Sequence, residues 1–242
     1  MTDARLPTGV TGLDEMLRGG FLPNSVIQVR GAPGTGKTSL AIEFLLQGVR
    51  QDETGLFITF EEFPHSLYRD AESLGFDLRS PEKEGKLRII FTSPSVLLKS
   101  LQDPTSSIHT YLRETDVRRA VLDSATHFNR LTNERVELRR IYTSLVNSLR
   151  RERITTLLLT EEKRSEYRRT DRGGLAFLVD GIILLRYVEV ESAIRRAIVI
   201  LKMRGSDHDR AIRDYYIEKG GLVVGDIFER RGSILSGISR RA

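Results

Sequence analysis

The run GAPGTGKT, Gly31–Thr38, has the residue types and spacing of a loop that wraps phosphates. Glycines let the backbone curl so that its N–H groups point at phosphate oxygens, and the helix that opens at the end of the run adds its positive end. The candidate binding residues are Gly31, Ala32, Pro33, Gly34, Thr35, Gly36, Lys37, Thr38 and Ser39. Lys37 is placed to reach β- and γ-phosphates, and the Thr38 hydroxyl to meet Mg²⁺. A phosphate-bound magnesium ion also calls for a carboxylate, and Asp123 ends the apolar run RAVLD. In a parallel sheet the C-terminal strand ends lie along one edge, so Asp123 belongs beside the loop. The metal candidates are therefore Thr38 and Asp123.

Two further acids, Glu61 and Glu62, end the run GLFITF. Adjacent strand residues face opposite ways, but a strand terminus bends, so both can approach the site. Hydrolysis needs one group to take the proton of an attacking water. The second glutamate reads equally well as an acid at the start of the helix that opens at Pro64. A less expected cluster is ILKMRGSDHDR, Ile200–Arg210. Lys202 and Arg204 alternate and so share a strand face. Residue type and spacing alone give them no task at this chain's own loop, and the plain reading is a surface ion-pair ladder with Asp207 and Asp209.

These residues need a scaffold, and the pattern supplies one. Apolar runs at 25–30, 55–60, 87–92, 119–124 and 154–160 read as strands. Between them, helical spacing is found at 37–50, 64–75, around 96–101 and 108–114, and over 133–152. The 133–152 helix carries an apolar stripe of Val136, Leu138, Ile141, Leu145 and Leu149. Beyond residue 177 four apolar runs follow one another with short turns. The expected fold is α/β: a mostly parallel twisted sheet flanked by helices, with an antiparallel C-terminal extension. No internal repeat or linker interrupts residues 1–242, so the reading is a single domain with a short basic tail at about 237–242.

The 242 residues include no cysteine, which excludes disulfides and thiolate metal sites. No signal-peptide pattern and no membrane-length apolar stretch is visible, so the expected location is cytoplasmic, with no membrane partner. The net charge is +5, with 31 Arg against 7 Lys. Arg139–Arg172 holds ten basic and five acidic residues. The bland reading is a solvated helix face; the sharper one is contact with a polyanion.

Taken in order, PTGVTGLDEMLRGGFLPNSVIQVRGAPGTGKT, FITFEE, VLDSAT and ILKMRGSDHD resemble the KaiC-like branch of the RecA/RadA ATPases, from Leu6 to about Gly237. The resemblance implies a RecA-type P-loop core that hydrolyses ATP with Mg²⁺. It also implies a homo-oligomeric ring, usually a hexamer, with nucleotide bound between subunits, in a regulatory or signalling role. Glu61 and Glu62 match the catalytic glutamates. Lys202 and Arg204 match a segment that extends to the γ-phosphate of the neighbouring subunit's ATP, with His208 and Ser206 nearby. Family members with two such domains in tandem phosphorylate themselves on adjacent Ser and Thr. Ala176 and Phe177 stand at those positions here, so autokinase activity there is excluded by chemistry. A second resemblance is to archaeal RadA paralogues, DNA-binding accessory ATPases of recombination and repair. On that reading Lys163, Arg164, Arg168, Arg169 and Arg172 contact single-stranded DNA, and Tyr167 stacks on a base.

Overall fold

A computed structural model of the chain describes residues 5–162, 174–190 and 193–228. The basic segment Lys163–Arg172, with the proposed DNA contacts Lys163, Arg164, Tyr167, Arg168, Arg169 and Arg172, lies outside the described residues, as does the basic tail.

Among the described residues one nine-stranded sheet organises the fold, in the order β3-β2-β4-β5-β1-β6-β7-β8-β9. The strands are β1 (Val26–Gly31), β2 (Thr54–Thr59), β3 (Leu87–Phe91), β4 (Val117–Asp123), β5 (Thr155–Glu161), β6 (Gly181–Val190), β7 (Ala193–Met203), β8 (Arg213–Glu218) and β9 (Gly221–Ile227), and the first helices are α1 (Leu13–Met16), α2 (Lys37–Arg50), α3 (Pro64–Ser73) and α4 (Arg79–Lys83). The six strands from β3 to β6 in that order run parallel, and β7, β8 and β9 extend the edge antiparallel. This is the α/β arrangement expected from the alternation of apolar runs and helical segments.

Strand periodicity sorts the core into two layers. Ile27 and Val29 of β1 face one layer, with Leu40, Phe44 and Leu45 of α2 (Lys37–Arg50). Val26 faces the other, where α5 (Pro94–Gln102), α6 (Ser107–Glu114) and α7 (Arg135–Arg151) pack. Local signals start these helices. Pro94 opens α5 behind Ser93, and the Ser106 hydroxyl caps α6 by accepting the His109 N–H at 3.1 Å. On α7, Leu138, Tyr142, Leu145 and Leu149 form the buried face. Val136, counted into the stripe from the sequence, is 68% exposed. It lies two positions, about 200° of rotation, from Leu138.

A buried cation ties the far ends of several elements together. Arg119 on β4 is fully buried, and its guanidinium donates to the carbonyls of Pro7 and Phe44, to Gln51 and to the Glu53 carboxylate. A charge taken from water needs such a complete partner set. Among the described residues no helix is long and apolar enough to cross a membrane.

Candidate active site

The C-terminal ends of β1, β4, β5 and β2 converge on the loop at Gly31–Thr38. Gly34 and Gly36 hold φ of 77° and 87°, which a side chain rarely tolerates. A Cβ on Gly36 would lie 2.5 Å from Ile217 of β8, so the loop rests on the C-terminal hairpin. The Tyr215 hydroxyl donates to the Thr35 carbonyl, and the Thr35 hydroxyl to the Ala32 carbonyl at 2.7 Å. Pro33 and Gly34 form the exposed crest, and Ser39 continues into α2 half-buried.

Lys37 Nζ donates to the carbonyls of Gly31 (3.0 Å) and Ala32 (3.1 Å). Burial lowers its pKa, opposed by the charges of Asp123 and Glu161. The Thr38 hydroxyl donates to Asp123 at 2.8 Å. Burial raises the Asp123 pKa, while Thr38 and Lys37 pull it back. One hydroxyl and one carboxylate side by side make an oxygen donor pair of the kind magnesium takes, together with phosphate oxygens and water. These residues fit the ion.

Glu61 and Glu62 diverge, as the strand rule allows. Glu61 lies 3.2 Å from His127 Nε2 and 3.8 Å from Arg130 Nη2, on the 3₁₀ turn Ala125–Arg130 that follows Asp123. Glu62 has a different charged environment. Its pKa is raised by burial first and then by Asp123, Asp70 and Glu61. Thr59 fixes its backbone, accepting the Glu62 N–H at 3.1 Å and donating to the Glu62 carbonyl at 2.9 Å.

Lys202 and Arg204 are elsewhere. Ile27 pairs with Gly181, and Gly181 with Met203, so the two cations sit at the N-terminal end of β1. At ~3.3 Å per residue, the rise of β1 from Ile27 to Gly31 puts them about 13 Å along the sheet from the level of their own chain's phosphate loop. Lys202 Nζ donates to the carbonyls of Ala176 (2.8 Å) and Val179 (2.7 Å), and Arg204 to that of Phe177. Asp207 and Asp209, the acids of the alternative ion-pair ladder, have other partners. Asp207 meets Arg18 at 3.3 Å, and Asp209 meets Arg213 at 2.8 Å. The Ser206 hydroxyl donates to the Asp207 carbonyl at 2.8 Å, and His208 lies half-buried in the same loop.

A family description reading "ATPase: KaiC" matches residues 6–229. The chain belongs to the KaiC ATPase family. It is 34% identical over 243 residues to the circadian clock oscillator protein KaiC of Rippkaea orientalis, covering 99% of this chain and 46% of that protein. It is 34% identical over 238 residues to the circadian clock protein KaiC3 of Synechocystis sp., covering 98% and 46%. The chain thus spans less than half the length of these relatives. The crystal structure of a KaiC-like protein from the archaeon Pyrococcus horikoshii superposes with a TM-score of 0.81 at 29% identity, over 92% of this chain and 99% of that one. The fold is therefore the RecA-type P-loop fold of KaiC-like proteins.

Three site neighbours escaped the sequence reading. Glu161 ends β5 next to Gly31 and bears on both Lys37 and Asp123, and the strand-end rule that found Asp123 would have found it. His127 and Thr59 carry no comparable signal, because each acts on a neighbour brought near by a turn.

Proposed function

We propose that this KaiC-family domain hydrolyses Mg·ATP between subunits of a homo-oligomeric ring, a hexamer by family resemblance, in a regulatory role. Residues Gly31–Ser39 hold the polyphosphate, with Lys37 exchanging its two loop carbonyls for phosphate oxygens. Thr38 and Asp123 would hold Mg²⁺, which supplies positive charge against the phosphate oxygens. Glu62, its basicity raised by burial and neighbouring acids, orients the attacking water and takes its proton. Glu61 shapes the same side of the site through His127. Lys202 and Arg204 serve the neighbour's nucleotide, where positive charge offsets the charge on the transferring phosphoryl group. Ser206 and His208 border that contact.

The observation that supports the trans assignment is the placement of Lys202 and Arg204 at the opposite end of β1 from Gly31. A mixing experiment tests it. Lys37→Ala subunits keep sound cations, and Arg204→Ala subunits keep a sound loop. Each alone is expected to be inactive, and mixed rings are expected to regain ATP turnover. Silent mixed rings would sink the assignment. The DNA-binding alternative rests on the composition of residues 163–172. A single-stranded DNA titration at two salt concentrations decides it, since phosphate contacts weaken steeply with salt.

A further inference from the structure

The two far-end cations are not free on a strand; a single helical turn holds them. α8 (Leu175–Leu178) is too short to satisfy its own last carbonyls. Cations from three elements meet them instead. Lys202 on β7 takes Ala176 and Val179, Arg204 just beyond it takes Phe177, and Arg150 on α7 takes Leu178 at 2.8 Å. Basic side chains at the last carbonyls of a helix are a favourable cap.

Asp180 joins this cap to the sheet. Its carboxylate accepts from Arg150 at 2.8 Å and from the Val26 N–H at 2.9 Å. Its backbone N–H donates to the Val26 carbonyl at 2.8 Å, and its carbonyl accepts the Arg204 N–H at 2.8 Å. The backbone of Arg204 is thus set by Asp180, and the side chain of Asp180 by Arg150. Both donors of Arg150 come from one nitrogen, Nη2, so this one group fixes the turn and the acid together.

We propose that Arg150 and Asp180 are positioning residues for the cation pair that Lys202 and Arg204 present to the neighbouring subunit, an inference that rests on the trans reading above. Neither touches nucleotide. They hold the turn whose carbonyls aim the cations. Phosphoryl-transfer catalysis depends on positioned charge. A misplacement of about 1 Å costs on the order of 10²-fold in rate.

The test uses ATP turnover by Arg150→Gln protein together with binding of a fluorescent ATP analogue. Turnover is expected to fall ~10²-fold while analogue binding stays within a few-fold, because the phosphate loop of the variant is untouched. Arg150→Lys, which keeps a cationic donor, is expected to restore part of the rate. Mixing then separates positioning from general damage. Arg150→Gln subunits mixed with Lys37→Ala subunits should regain turnover, as the Arg204→Ala and Lys37→Ala mixture does. If that control mixture stays silent, the trans reading itself fails and this inference falls with it. If the control recovers but the Arg150→Gln mixture does not, or Arg150→Gln alone turns over ATP like the parent, the inference is overturned. Should Arg150→Gln fail to fold, Asp180→Asn replaces it in the same mixtures. That variant keeps an acceptor for Val26 and removes the charge that holds Arg150, and the same outcomes decide.

Discussion

At the C-terminal end of the parallel strands, one contiguous loop supplies most of the proposed phosphate-binding groups, and strand-end acids lie beside them. At the N-terminal end, Lys202 and Arg204 come from β7 and the loop after it, their carbonyl partners from α8, and the brace from α7. The loop end is built from local sequence, and the cation end from tertiary contacts between distant segments. A loop can be tuned residue by residue. A cation held through a turn, an acid and an arginine changes whenever any of the three moves.

Arg204→Ala should break this comparison most visibly. Loss of a cation supplied from outside is expected to slow turnover ~10³–10⁵-fold. Binding of nucleotide to the variant's own loop should persist. Lys37→Ala, by contrast, should weaken binding and turnover together. Single-turnover kinetics beside equilibrium binding would tell the two patterns apart. An Arg204→Ala protein that loses nucleotide binding as Lys37→Ala does would collapse the two ends into one site. Size measurements with and without ATP sharpen the same point, because a monomer under both conditions leaves no neighbour to receive the cations.

Next in size is Glu62→Gln, for which loss of the proton acceptor is expected to cost ~10²–10⁴-fold in turnover. Glu61→Gln should cost less, because Glu61 faces His127 and Arg130. The ratio of the two rates measures how unequally the adjacent glutamates divide the work. Equal losses would mean that both reach the water.

The loop end was readable because its signals are local. Gly31–Thr38 announces itself by spacing, and α2 begins and ends where helical periodicity placed it, Lys37–Arg50. The position of Asp123 beside the loop is legible because apolar strands in a parallel sheet finish at a common edge. The cation end was only half readable. Lys202 and Arg204 stood out as polar groups after an apolar strand, but the carbonyls of Ala176, Phe177 and Val179 have no side-chain signature. Arg150 sits among several basic residues of α7 and looks like any solvated arginine. Asp207 and Asp209 misled for the same reason. Nearness in sequence suggested a ladder with Lys202 and Arg204, whereas folding brings Arg18 and Arg213 to them.

The smallest expected effect separates the ends by pH. Glu43 on α2 is buried, and its carboxyl accepts the Leu222 N–H at 2.7 Å where the C-terminal hairpin meets the loop helix. Burial pushes its pKa up to about 8, against weaker opposition from the Leu222 hydrogen bond and the Arg50 charge. Between the ordinary carboxylate range and pH 8 the folded chain keeps this proton and the unfolded chain releases it. Folding then takes up a proton, so this group's contribution to stability falls as pH rises through the window and levels off above it. Glu43→Gln keeps an oxygen acceptor for Leu222 without the charge. It should therefore match the parent in stability near pH 4 and exceed it at pH 8.5, by ~2–4 kcal/mol. Thermal melts at the two pH values read the difference. If Glu43→Gln and the parent melt together at pH 8.5, the carboxyl is ionised in the fold and the joint between α2 and the hairpin tolerates its charge.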